Sequence, residues 1–166
     1  LSGAALAVAG LLLQTAFNNP PAGPSILGID TGASLGGALV MLFCGGSLGL
    51  TGSTTLTGFT AIIAGAFIGS IIVLGTILFF STLVKNNIML LIVGIMVGYI
   101  TSSVISLLNY FATAEGVHSY TIWGMGNFSG VTGEQLPYFA LSVSVGLAIA
   151  ILLIKPLNAL LLGDRY

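Results

Sequence analysis

An all-α integral membrane protein, a polytopic helical bundle of about five transmembrane helices with a short outer interfacial helix, is the fold class predicted by three observations. Charged residues are 4% and hydrophobic residues 56% of the 166 residues. The apolar residues gather into five runs of spanning or near-spanning length. Those runs are apolar on every helical face and lack the two-residue alternation of a barrel strand. So few charges cannot cover a water-facing surface, which excludes a soluble globular domain. The high apolar content excludes a disordered chain. Three basic residues cannot neutralise a phosphate backbone, so nucleic acid is not an expected partner. The lipid bilayer is, and within it a helix satisfies its backbone polar groups internally.

A bilayer core of about 30 Å takes about 20 apolar residues to cross as a helix. Residues 1–17 form the first run, interrupted by Ser2, Gln14 and Thr15. Asn18, Asn19, Pro20, Pro21, Ala22, Gly23 and Pro24 end it, because proline removes a donor and restricts its predecessor. Residues 26–44 form the second run, with Asp30 near its start, and Gly45-Gly46 and a Gly/Ser/Thr-rich stretch close it. Residues 58–80 form a third, uncharged run that ends at Lys85-Asn86-Asn87. Residues 88–111 form the fourth and 137–154 the fifth. The polar stretch 112–136 between them is too long for a simple turn. Aromatics among glycines at 120–128 predict a short helix lying in the outer interface. The chain starts at Leu1 within an apolar run and stops at Tyr166 just past a helix end, so a fragment of a longer protein is expected.

Orientation follows from parity. If the spans alternate, the connections at 18–25, 81–87 and 155–166 share a side, and Lys85, Lys155 and Arg165 all fall there. The other side carries Glu115, His118 and Glu134. The positive-inside rule makes the basic side cytoplasmic.

Small residues recur every four positions: Gly28, Gly32, Gly36; Ala61, Gly65, Gly69; Gly94, Gly98, Ser102, Ser106. Such stripes let helix backbones approach closely, and most read as packing seams. The fourth run becomes polar, with Thr101, Ser102, Ser103, Ser106 and Asn109. Hydroxyls in a membrane helix can bond the i−4 carbonyl, but this cluster suits a helix lining a water-filled path. No catalytic constellation and no metal-ligand cluster is visible, and no Gly-rich phosphate loop with a following lysine occurs. Asp30 reads as a carboxylate favoured by a helix N-terminus, with a coupling role as the alternative. His118 reads as a solvated side chain and Cys44 as a small buried hydrophobe.

Gln14, Asn19-Pro20, Ala22, Pro24 and Leu27-Gly28 together resemble the signature of the FecCD family of ABC-importer permeases, which carry iron-siderophores, haem or vitamin B12. Asn18 departs from the charged residue usual there, and Pro21 from the usual leucine. Trp123-Gly124-Met125-Gly126 is similar to the family's outer-loop motif, and Gly163-Asp164 to the start of its cytoplasmic coupling motif. The resemblance implies that residues 1–166 are one partial permease domain, family helices two to six of ten. It implies a translocation pathway faced by Gly98, Ser102, Ser103, Ser106, Asn109 and Trp123, and a cytoplasmic gate at Lys85, Asn86 and Asn87. Gly163, Asp164 and Arg165 would contact an ATP-binding cassette subunit, which alone would bind ATP, so no cofactor is expected on this chain. A substrate-binding protein and a second permease copy, as a homodimer, are the other implied partners. The implied location is the bacterial inner membrane and the implied cargo a metal chelate, iron-siderophore foremost. An ion-coupled secondary transporter, with Asp30 its sole candidate site, is the first rival, and a non-transporting assembly or receptor subunit is the second.

Overall fold

The structure is a computed structural model that describes residues 1–17, 23, 25, 27–44, 56–84, 87–126 and 131–161. The described residues are helical, without a strand. Helix α1 is Ser2–Phe17 and α2 is Ile29–Ala38, which runs on into a π-helical turn, Leu39–Cys44. Helices α3 (Leu56–Leu83), α4 (Asn87–Phe111) and α6 (Leu136–Leu161) are long and apolar enough to cross a membrane. The short helix α5 is Ala114–Gly124. All five apolar runs are therefore helical, although α1 and α2 are shorter than a full span.

Three boundaries differ from the sequence expectation. The short helix begins at Ala114 rather than near residue 120, because Thr113 caps it: its Oγ1 accepts a bond from the Gly116 N–H at 3.2 Å. Glu115 in the first turn adds a favourable charge at that end. Met125 and Gly126 close the helix onto the Thr121 and Trp123 carbonyls, Gly126 with φ +73°. Thr113→Ala removes a cap worth about 1 kcal/mol, so amide exchange at Gly116 should quicken about fivefold, whereas Thr113→Ser should leave it unchanged. The last helix runs to Leu161, through Lys155 and Pro156. Proline there deletes one bond in the final turns, and the exposed Lys155 can reach the interface along its apolar stem. The α-helical part of the second run stops at Ala38, where the π-helical turn takes over.

Helix α2 is the hub, packed against both α3 and α4, while α1 pairs with α6. The residue order at the contact makes α3 antiparallel to α2: Gly32 meets Gly69 and Val73, and Gly36 meets Gly65. Leu27, Val73, Ile77 and Leu90 form a buried cluster, flanked by Leu13, Ile29, Leu91 and Val97. It ties α1, α2, α3 and α4 together just below the start of α2.

Candidate translocation site

Two features converge on α4: the corner that starts α2, and the polar face of α4 itself. At the corner, Leu27 is 1% exposed within the buried cluster. Gly28 is left-handed, with φ +70°. A Cβ at Gly28 would lie 2.9 Å from the Gly94 carbonyl oxygen and 3.3 Å from the Gly98 nitrogen. Backbone conformation and backbone proximity thus both demand glycine here. The Gly28 carbonyl accepts bonds from the Gly32 N–H at 3.1 Å and the Thr31 hydroxyl at 2.7 Å, which begins the helix.

This corner is recessed. Gly94 and Gly98 stand roughly two to three turns past the first residue of α4, about 10–16 Å along its axis. Irregular backbone at such depth is tolerated where neighbouring helices shield it, as α3 and α4 shield Leu27. Asp30, in the first turn of α2, therefore lies well along the span of α4 rather than at its edge. Its carboxylate accepts a bond from the Thr31 N–H at 2.8 Å.

The stripe Gly94, Gly98, Ser102, Ser106 does not stay on one face. A four-residue step advances about 40° beyond a full turn, so the stripe winds across the helix. Gly94 is buried, Gly98 is half-buried and the two serines are exposed. Thr101, 6% exposed, faces the bundle and donates to the Val97 carbonyl at 2.8 Å. Opposite it lie Tyr99, Ser103, Ser106 and Tyr110, and Ser102, about 100° round the helix from Thr101, is exposed beside them. Tyr99 is 71% exposed and Tyr110 82%. Ser103 donates to the Tyr99 carbonyl at 2.9 Å and Ser106 to the Ser102 carbonyl at 3.0 Å. Their protons are thus satisfied within the helix, and the exposed surface they leave is smooth and weakly polar. The buried Oδ1 of Asn109 has no hydrogen-bond partner among the described residues. The sequence reading overlooked Tyr99 and Tyr110, although their spacing of four, three and four residues with Ser103 and Ser106 marks one face.

Trp123 lies apart from this face. Its ring packs over Gly37 of α2, and its centroid is 6.0 Å from that of Tyr120. Partial burial raises the Tyr120 pKa above its usual value. His118 and Glu115 are exposed on α5. No group of three or more ligating side chains suited to a metal occurs among the described residues. Gln14 is exposed on α1, and Asn87 opens α4. Lys85, Asn86, Asn19, Pro20, Ala22, Pro24, Gly163, Asp164 and Arg165, and the side chain of Cys44, lie outside the described residues.

The sequence matches the model of the FecCD transport family over residues 1–166. The chain belongs to the FecCD family. It is 32% identical over 164 residues to the molybdate import permease MolB of Haemophilus influenzae, covering 98% of this chain and 46% of that protein. It is likewise 32% identical to the vitamin B12 import permease BtuC of Klebsiella pneumoniae, covering 99% of this chain and 46% of the relative. An inward-facing metal-chelate type ABC transporter of known structure superimposes with a TM-score of 0.77 at 27% identity, over 98% of this chain and 49% of that one. The chain thus spans about half the length of the FecCD relatives it matches.

Proposed function

We propose that this chain forms about half of the membrane-spanning permease subunit of a bacterial ABC importer for metal chelates, iron-siderophore foremost. The carrying observation is the FecCD match across the whole chain. The exposed face of α4 supports it. Tyr99, Ser102, Ser103, Ser106 and Tyr110 offer a large chelate a wall that permits passage without tight holding. The Ser103 and Ser106 hydroxyls, bonded to their own helix, do not compete for the cargo, and the tyrosine rings supply apolar area with a polar tip. Asn109 and Trp123 lie off this wall, Asn109 with a buried side-chain oxygen and Trp123 over Gly37 of α2, and in this proposal they flank the outer part of the route.

In this reading the permease performs no chemistry, and ATP is bound and hydrolysed by a separate cassette subunit. Gly163, Asp164 and Arg165 lead into the contact with that subunit, and Lys85, Asn86 and Asn87 sit at the cytoplasmic gate. A substrate-binding protein delivers the chelate to the outer face, and a second permease copy completes the path in the inner membrane. Closure of the ATPase pair moves the cytoplasmic ends of the helices, so that α4 opens or shuts the route.

The deciding measurement is uptake of a ferric siderophore by the assembled transporter. Inactivating the ATPase should abolish uptake, and collapsing the ion gradients while ATP is maintained should leave it intact. The reverse pattern would favour an ion-coupled carrier. That alternative draws on Asp30, an acid recessed along α4 in a chain otherwise nearly free of membrane-embedded charge.

A further inference from the structure

We propose that the short outer helix α5 is keyed to α2, not to the helix α4 that precedes it in the chain, and that Gly37 is the positioning residue of this seat. Helix α5 packs against α2 and its π-helical turn. The buried Gly37 receives the Trp123 ring. A Cβ at position 37 would lie 2.8 Å from Trp123 Cη2, 3.1 Å from Cζ3 and 3.4 Å from Cζ2. A rigid indole cannot yield as a flexible chain end would, so any larger residue lifts it. Tyr120, one turn earlier, stands against the indole.

The second seat lies one turn further along α2. A Cβ at Gly116 would meet Leu42 Cδ2 at 3.6 Å and the Met41 carbonyl oxygen at 3.9 Å. Both residues belong to the π-helical turn, whose wider i→i+5 pattern rotates them relative to a continued α-helix. The link to α4, by contrast, is only Ala112 and Thr113, and Thr113 is extended at φ −71° and ψ 151°. The chain therefore has a joint between α4 and α5 and a two-point seat between α5 and α2. When α4 moves, α5 stays with α2, and Trp123 stays with it.

The test uses the full-length permease, reading Trp123 emission as the difference from a Trp123→Phe variant. Gly37→Val should shift that emission to the red and increase its quenching by acrylamide, with Gly37→Ala intermediate. Gly146→Val, on α6 and with nothing within 4 Å of a Cβ, should change neither. An unaltered spectrum in Gly37→Val would overturn the seat. Should that variant accumulate poorly, Gly37→Ala carries the same reading, and adding Trp123→Ala to Gly37→Val should restore its amount to that of Trp123→Ala alone. For the joint, Leu42→Cys and Gly116→Cys are bridged by a short thiol-specific reagent in a Cys44→Ser background. Uptake should survive bridging. Its loss on bridging, with the unbridged pair active, would show that α5 leaves α2 during the cycle and would overturn the proposal. This arm rests on the transport reading and the spectra do not, so a failure of that reading is told apart from a failure of the seat.

Discussion

Replacing Gly36 with valine is expected to cut the amount of folded protein in the membrane about tenfold, the loss that follows from overpacking costs of about 1–3 kcal/mol. A Cβ at Gly36 would overlap the Gly65 carbonyl, and one at Gly69 would overlap the Gly32 carbonyl. From the other side, a Cβ at Gly65 would meet Val40 Cγ2 at 2.7 Å and the Gly36 oxygen at 2.8 Å. The obstructing atoms at Gly36 are backbone, so no rotamer change relieves the overlap and the helices must separate. Lipid supplies no hydrophobic drive to bring them back, and close packing is what holds membrane helices together. Ser70 donates chiefly to the Ala66 carbonyl of its own helix at 2.9 Å and approaches the Ile29 carbonyl only at 3.5 Å, so backbone packing rather than this hydroxyl holds the pair together. Valine at Gly75 or Gly146, where a Cβ meets nothing within 4 Å, should leave the amount near that of the parent. Quantifying each variant in the membrane fraction checks the result, and a fully abundant Gly36→Val would mean that α2 and α3 do not approach this closely.

The second large effect is expected on transport rather than on amount. Ser102→Leu combined with Ser106→Leu should reduce chelate uptake about tenfold, equivalent to about 1.4 kcal/mol on the passage step, with normal insertion. Both serines are exposed on the face away from α2 and α3, so the added bulk narrows the route without displacing a packed neighbour. Thr101→Leu is the contrast. Thr101 faces the bundle, so its enlargement should lower the amount of protein while uptake per molecule stays nearer the parent value. Unimpaired uptake in the double serine variant would remove this face of α4 from the path.

The number and type of elements were legible because lipid makes a severe demand: each span must be apolar all round and must satisfy its own backbone. The runs at 58–80 and 88–111 correspond closely to α3 and α4 for that reason. Ends were less legible. Thr113 and Glu115 carried the start signal of α5, but the aromatics from Tyr120 onward drew the expectation downstream. The continuation of α6 through Pro156 depends on how cheaply a helix end absorbs one lost bond. The four-residue stripes announced close contact without saying with what. Gly32, Gly36, Gly65 and Gly69 meet one another, whereas Ser102 and Ser106 are exposed because their row winds off the packed face.

Composition and pattern alone therefore determined a polytopic helical membrane protein and, through the residues around Asn19, Pro20 and Gly28, its kinship with the FecCD permeases. Those properties reside in local chemistry: hydropathy along the chain, proline stops, glycine spacing. Only the tertiary structure decided that α2 begins recessed against Gly94 and Gly98, that it ends in a π-helical turn, that Trp123 rests on Gly37, and which face of α4 remains open. Each of these depends on which backbone comes within van der Waals reach of which other, and periodicity along one helix carries no record of its partner.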